Sequence, residues 1–424
     1  MEDTVSNDIA IVGMGVVSPL GNSIDVFHRR LLAGDSAARA VPIPADPASR
    51  RAIWCTVSGF VPPSWMNARM LEGVDVITQW AASAIDQAID DAGTELEPVK
   101  TAIVHGTSMC GVQSLQQAQH ALDKGGPGAV PRKVMLRALS NMAASQIAMH
   151  RGLHGPCLTL STACASTLDA LGQAAALIRA GRADVALAAG TEAGHSLESA
   201  GAHGDFVPAL FHAPVLMGMS SNADLAAACR PFDIRRAGIL TSEGSAAFVL
   251  ERGSLARARG ARIHGYLRGY GSLADAHHPS APEPSGRWEA LAMTEALRDA
   301  RMESTGVGAL YAHATGTPKG DTAEIRAINA VHDRRDAPLP VTSVKGQLGH
   351  AAAASGGMSL IAALLGMRDG EIVPTAGAVE LDPEIAFEVV TGSVRELRVD
   401  AVQVNAFGFG GQNASIVVSR EPGH

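Results

Sequence analysis

Aromatic residues make up only 4% of this 424-residue chain, and cysteine is sparser still, with five residues (Cys55, Cys110, Cys157, Cys164 and Cys229). An odd number without metal-type pairing excludes a disulfide framework and a zinc site, and fits reduced thiols. There is no long basic block and no alternation of basic and aromatic residues, and the formal net charge is −8. Nucleic acid is therefore not an expected partner. The first residues, Met1 to Asp8, are acidic, and the apolar run Ile9 to Val17 is broken by glycines and too short to cross a bilayer. No membrane association is expected, and the expected location is cytoplasmic. What the chain does have is glycine, 45 residues dispersed among apolar segments at 46% hydrophobic content. That pattern implies tight turns and close backbone packing. The length exceeds the roughly 100–200 residues of one ordinary domain, so a two-unit or duplicated architecture is expected.

Strand-like and helical runs alternate, which predicts α/β layers. Ile9–Val17, Thr101–His105, Cys157–Leu160 and Asp184–Ala189 read as strands in the first half, with helices over Val76–Ala92, Asn141–Arg151 and Thr167–Ala180. In the second half, Ala246–Glu251, Ile263–Tyr270, Leu310–His313 and Ala401–Asn405 read as strands, and Trp288–Ala300, Thr322–His332 and Ala352–Met367 as helices. No internal repeat is visible. Gly13-Met14-Gly15 follows a strand but has Ser18 where a dinucleotide loop needs its third glycine. His277-His278 has no accompanying ligand pattern, so it reads as a surface loop or a hydrogen-bonding pair. Neither a cofactor nor a metal is implied.

Chemistry concentrates at three places. Cys164 lies where the apolar stretch ending at Leu160 passes through small residues into a helical pattern marked by Leu168, Leu171, Ala175 and Ile178. A thiol opening a helix sits among unpaired N–H groups at the positive end of the macrodipole, which favours the thiolate relative to a free thiol of pKa about 8.5. The segments around His313 (Ala312 to Glu324) and His350 (Ser343 to Ala352) each follow a short apolar run and lead toward a helix, which puts both histidines on strand-end loops. With these motifs, the chain resembles the β-ketoacyl synthases, condensing enzymes of the thiolase superfamily. The likeness runs nearly end to end, from Ile11-Val12-Gly13-Met14-Gly15 through Asp184 to Glu192 and Arg230-Pro231-Phe232-Asp233 to Asn405-Ala406-Phe407-Gly408-Phe409-Gly410-Gly411.

The resemblance implies a thiolase-like five-layer αβαβα fold from two related halves, residues 1–251 carrying the cysteine and 252–424 carrying both histidines. It further implies that Cys164 accepts an acyl group from a phosphopantetheine thioester on an acyl carrier protein. His313 and His350 then promote decarboxylation of a malonyl-type thioester and hydrogen-bond the enolate oxygen. Backbone N–H groups of Cys164 and Phe409 form the oxyanion hole, with Phe409 also the gate. Lys345 and Glu324 match an ion pair beside the histidines, and Thr315, Thr317, Ser280 and Phe407 match substrate-binding positions, with Asp275 and His278 in support. A homodimer is implied too. Because a carrier protein is acidic, docking needs a local basic patch, and Arg69, Arg132, Lys133 and Arg137 are the candidates because they precede helical segments in the first half.

The chain departs from the family pattern at Ala314, Thr241-Ser242-Glu243-Gly244, Gly346-Gln347 and Gln412. These changes are expected around the pocket, and they favour polyketide or other secondary metabolism over fatty acid synthesis. Two other functions stay open: a ketosynthase-like cyclase or acyltransferase working without malonyl decarboxylation, and a non-catalytic partner subunit that binds carrier protein. The intact Cys164, His313 and His350 weigh against the second. No cysteine follows Cys229, which disfavours a true thiolase.

Overall fold

A computed structural model of the chain describes residues 8–42, 51–193, 225 and 228–423. Among these, eleven strands form one continuous sheet. In chain order they are β1 (Ile9–Val17), β2 (Thr101–Gly106), β3 (Cys157–Leu160), β4 (Val185–Glu192), β5 (Gly244–Arg252), β6 (Gly265–Ala274), β7 (Ala309–Tyr311), β8 (Pro340–Thr342), β9 (Glu388–Val389), β10 (Ala401–Gly408) and β11 (Gln412–Ser419). The five principal helices are α1 (Val76–Ala92), α2 (Ser166–Arg179), α3 (Arg287–Asp299), α4 (Pro318–Val331) and α5 (Ser355–Asp369).

The repeat that is invisible in the sequence is plain in the pairing. The spatial order is β9-β8-β7-β10-β11-β6-β1-β5-β4-β2-β3. From β1 outward, β5 and then β4 pair antiparallel, and β2 and then β3 add in parallel. From β6 outward, β11 and β10 pair antiparallel, and β7 and β8 add in parallel. The halves meet where β1 and β6 pair antiparallel over Ile9–Leu267 to Ile11–Gly265. Such topology survives divergence because it depends on which faces are apolar, not on which apolar residue fills each position.

The helices make the other layers. α1 covers β1 and β5, α3 covers β6 and β11 with α4 beside it, and α2 and α5 pack together between the two halves of the sheet. This is the five-layer αβαβα arrangement of the thiolase fold. α1 illustrates the local logic. Asp75 caps its first turn by accepting from Ile77 N, Gly93 in left-handed conformation ends it, and Ile77, Trp80, Ala81, Ala84, Ile85 and Ala88 repeat at helical spacing on the buried face. α5 is different, with every residue from Ser355 to Met367 buried, as a helix between the two halves of the sheet requires. Its backbone can approach only because Gly357 has no side chain, since a Cβ there would lie 2.6 Å from Ala246 Cβ.

Observed boundaries differ from the predicted ones for identifiable reasons. α4 begins at Pro318, four residues before the expected start, because Thr317 caps it through Gly320 N and proline suits a first helical position. α5 begins at Ser355 because Ala352–Ala354 form a separate 3₁₀ turn, with Ala352 at φ 41°. All five cysteines are free thiols.

Candidate active site

Two similar turns, one from each half, meet at the centre of the molecule. After β3 the chain turns at Ala163, with φ 50°, into a one-turn 3₁₀ helix, Ala163–Ala165, that runs into α2. Cys164 is the middle residue. Its counterpart is the Ala352–Ala354 turn before α5, and Thr167 Oγ1 on α2 donates to the Ala353 carbonyl, which joins the two. Non-glycine residues at positive φ are unfavourable, and here the pair of them sits at the point where catalytic groups converge.

The convergence is close. Cys164 Sγ lies 3.0 Å from His350 Nε2, and the other ring nitrogen of His350 lies 2.9 Å from Ser355 Oγ. Backbone bonds from His350 N to Leu240 O and from Ser242 N to His350 O, at 2.7 and 3.0 Å, hold the histidine in place. His313 follows β7, and its ring sits 5.2 Å from that of His350 at 86° and 5.9 Å from Phe407. Glu324 on α4 fixes the His313 loop, accepting from His313 N at 2.8 Å, Ala314 N at 2.6 Å and Asn405 Nδ2 at 3.1 Å. Asp321 does the same for the next turn, receiving Thr315 N and Gly316 N, each at 3.0 Å.

Cys164, His313, His350, Thr315, Thr317, Ser280, Phe407 and Phe409 all line one cavity of about 890 Å³. The hydroxyls of Thr315 and Thr317 lie 3.2 Å apart on its wall. Phe409 is 43% exposed, which rules out a plain core role and leaves its ring at the cavity mouth. The N–H groups of Phe409 and of Cys164 itself are directed at the sulfur. Gly408 permits that approach, because a Cβ there would stand 3.0 Å from Cys164 N. Gly408→Ala is therefore expected to displace the Phe409 N–H and slow acyl transfer to Cys164 on the order of 10²-fold. A time course of mass gain on the intact protein measures this, with circular dichroism as the control for folding.

Electrostatics correct one sequence expectation. Cys164 does stand at the start of a helix, yet burial pushes its thiol up to about 12, outweighing the Lys345 charge and the two N–H groups that pull the other way. Desolvation is the largest of these effects, although Cys164 is only partly buried and lines the cavity. His350 Nε2, at 3.0 Å, is placed to share the thiol proton. Burial first, then the Lys345 charge, holds His313 neutral, well below its ordinary range.

Lys345 and Glu324 are coupled by charge, Glu324 being the first influence that opposes the lowering of the Lys345 pKa by burial, but they make no direct hydrogen bond. Glu324 is saturated by its three N–H donors, and burial pushes its carboxyl up to about 7. Lys345 Nζ is buried with no hydrogen-bond partner among the described residues. Neither residue lines the cavity; Lys345 acts on Cys164 and His313 only through its field.

The departures from the family pattern also fall elsewhere than expected. Thr241 lines the cavity, but Ala314, Glu243 and Gln347 do not. Gln347 reaches back to Leu31 O at 2.8 Å and Glu243 to Val57 N at 3.2 Å, so both are packing contacts behind the site. Asp275 lies on the cavity wall, held by Asn413 Nδ2 and Glu283 N, while His278 Nδ1 accepts from Ser280 N at 3.1 Å. Of the proposed docking residues, Arg69 and Lys133 meet, with Lys133 Nζ donating to Arg69 O at 2.9 Å. Arg132 is exposed, and Arg137 is partly buried and reaches Gln117 Oε1 at 3.4 Å. Arg69 and Arg137 lie within short helices, Ala68–Leu71 and Val134–Ala138.

Sequence reasoning missed Ser355, Asp321 and Glu289. Glu289 is buried on the cavity wall, and burial together with the Glu324 charge raises its carboxyl well above the ordinary range. Its signal was present, since Glu289 shares a helical face with Ala292, Met293, Ala296 and Leu297, and an acid on an apolar stripe is rarely accidental. Ser355 gave no such signal, because only the fold brings it back to His350.

Comparison with known proteins agrees with this geometry. The β-ketoacyl synthase N-terminal domain family matches residues 6–256, and the β-ketoacyl synthase C-terminal domain family matches residues 264–378. A 3-oxoacyl-[acyl-carrier-protein] synthase 2 from Coxiella burnetii is 31% identical over 417 residues, covering 97% of this chain and 98% of that protein. The ishigamide ketosynthase/chain length factor superposes with a TM-score of 0.87 at 31% identity, over 98% of this chain and 100% of that one. The AntDE:AntF structure, a type II PKS acyl-carrier protein in complex with its ketosynthase bound to the hexaketide, gives 0.86 at 25% identity, over 98% and 99%. Matching families over both halves, near full-length relatives, and a thiol and two histidines around one cavity lead to a single assignment: the chain belongs to the β-ketoacyl synthase family and is a ketosynthase condensing enzyme.

Proposed function

We propose that this ketosynthase extends a carrier-bound acyl chain by decarboxylative Claisen condensation, in a polyketide-type or other specialised pathway, with residues 1–251 supplying the nucleophile and 252–424 the two histidines. The observation that carries the reading is the 3.0 Å contact between Cys164 Sγ and His350 Nε2, with the neutral His313 facing the same cavity. In the loading step the sulfur attacks the thioester carbonyl while its proton passes to His350 Nε2. The oxyanion is received by the N–H groups of Cys164 and Phe409, and the carrier thiol leaves protonated. A malonyl-type thioester then occupies the cavity, its pantetheine arm against Thr315, Thr317 and Ser280. Carbon dioxide departs, His313 and His350 donate hydrogen bonds to the enolate oxygen, His350 in the tautomer with its proton on Nε2 and Nδ1 accepting from Ser355 Oγ, and the enolate carbon attacks the acyl-cysteine. Collapse of the tetrahedral adduct frees the Cys164 sulfur and gives a 3-oxoacyl thioester on the carrier.

Intact-protein mass spectrometry with acylated carrier proteins, with and without malonyl carrier, tests this. The expected result is an acyl mass on Cys164 and carbon dioxide release from the malonyl donor. Loading without decarboxylation would replace elongation by cyclisation or simple acyl transfer, and absence of loading would favour a non-catalytic carrier-binding subunit.

Two assembly features belong to the same proposal. The acyl carrier protein docks on the surface around Arg69, Arg132, Lys133 and Arg137, opposite in sign to the chain's net charge of −8. Charge reversal at Arg132 and Lys133 is expected to raise the apparent carrier KM and flatten its salt dependence, while leaving a small thioester mimic unaffected. Equal effects on both substrates would remove these residues from docking. A second copy pairs along β3, the end strand of the sheet, where Cys157 and Leu158 are exposed. Sedimentation showing a fully active monomer would overturn the homodimer.

A further inference from the structure

Asp275 and Glu289 are the two acidic side chains that line the cavity holding Cys164, and they are bound very differently. Asp275 accepts from Asn413 Nδ2 and Glu283 N. Glu289 is 2% exposed and has no hydrogen-bond or ion-pair partner among the described residues. Its place in α3 does not account for it. In the first turn of a helix a glutamate often accepts from the N–H of the residue before the helix. Here Gly286 N donates to Glu283 O at 3.0 Å instead. Of the two carboxyl oxygens, Oε2 is closed off from solvent, and Oε1 is the one left open, in a side chain that lines the catalytic cavity itself.

Glu289 also belongs to the wall against which the pantetheine arm is placed. α3 starts hard against α4, where a Cβ on Gly286 would stand 2.1 Å from Ala323 O, and α4 follows directly on the turn that carries Thr315 and Thr317. On its other side runs the loop after β6, which carries Asp275 and Ser280. Burial, then the charges of Glu324, Asp275, Asp321 and Glu283, hold the Glu289 carboxyl well above its ordinary range, so it keeps its proton. A buried acid with no partner is unfavourable, because it has given up water without replacement. A protonated carboxyl donates through its O–H and accepts at its carbonyl, which matches the C=O and N–H of an amide. The pantetheine arm is built of amide units. We propose that Glu289 hydrogen-bonds an amide of the carrier's phosphopantetheine arm and so fixes where the thioester end of the arm comes to rest beside Cys164. This inference rests on the reading of the cavity as the entrance for a carrier-borne arm, and it adds to Thr315, Thr317 and Ser280 a contact from a different helix.

The test compares carbon dioxide release by the acyl-loaded protein from malonyl carrier protein, from malonyl-pantetheine and from the malonyl thioester of ethanethiol, which has no amide. Glu289→Leu removes the hydrogen-bonding group at similar size, and Glu289→Gln keeps both a donor and an acceptor. In the leucine variant the carrier KM is expected to rise about 3- to 10-fold, and the ratio of kcat/KM for malonyl-pantetheine to that for the ethanethiol ester to fall by the same factor. Glutamine is expected to restore both. Because leucine removes an unpartnered buried acid, its melting temperature is expected at or above that of the unmodified protein, which separates lost binding from lost folding. An unchanged carrier KM in the leucine variant overturns the proposal, as do equal losses on all donors or a glutamine variant that behaves like leucine. Any of these, with normal carbon dioxide release by the unmodified protein, leaves the ketosynthase reading intact. Failure of the unmodified protein to release carbon dioxide from the malonyl carrier would remove both.

Discussion

Cys164→Ala is expected to take up no acyl group from any carrier-bound thioester, a loss limited only by the detection of the mass measurement. The reason is positional. Cys164 Sγ is the one thiol that lines the central cavity with a histidine nitrogen at 3.0 Å to take its proton. Cys55, Cys110 and Cys229 do not line that cavity, and burial pushes their thiols up, Cys110 and Cys229 to about 12. Cys157 is the residue that could mislead. It is the one cysteine exposed in the single chain, on β3, so any acyl group exchanged onto it would add mass without the catalytic cavity. The comparison is therefore made in a Cys157→Ser background, where one acyl equivalent per chain is expected with Cys164 present and none with alanine. An adduct that persists in the Cys164→Ala protein would place the nucleophile elsewhere. The histidines remain in that variant, so slow decarboxylation of the malonyl donor is expected to continue without any condensed product.

Much of this site was legible in the sequence, and the parts that were not share a cause. Cys164, His313 and His350 each sit in small-residue segments at the end of a strand, and local pattern alone places them on loops. β1 and α1 run over the predicted residues because strict burial and a capped, periodic face leave little freedom. What the sequence could not give was the balance between opposing effects at one atom. A helix start favours the Cys164 thiolate and burial opposes it, and only the packing of the Ala163–Ala165 turn against its partner turn reveals that burial dominates. Lys345 and Glu324 interact through their charges without a direct hydrogen bond for a related reason. Three N–H donors reach Glu324 first, and two of them belong to backbone whose position the side-chain pattern does not encode. The duplication was hidden because strand order, not residue identity, is what the halves have in common.

His350→Ala and His313→Ala are expected to lose condensation by about 10²–10⁴-fold, and their loading steps are expected to separate them. His350 Nε2 is the proton acceptor nearest to a thiol that burial holds up to about 12. Without it, loading must draw on the small fraction of thiolate already present. That fraction grows about tenfold per pH unit below the thiol pKa, so loading by the alanine variant is expected to be slow and to climb steeply between pH 6 and 9. The unmodified protein, with an internal acceptor, is expected to show a much shallower rise. His313 takes no part in that transfer, so its alanine variant keeps near-normal loading and fails only at the enolate. Its imidazole is neutral because burial and Lys345 lower its pKa well below the usual value. Protonation of His313 therefore begins only at acid pH beyond the ordinary histidine range, and the condensation step carries no acid limb from this residue near pH 6.5. Single-turnover loading and condensation, measured separately across pH, decide the assignment. Equal pH slopes for loading in the His350→Ala and unmodified proteins would show that the proton leaves Cys164 by another route.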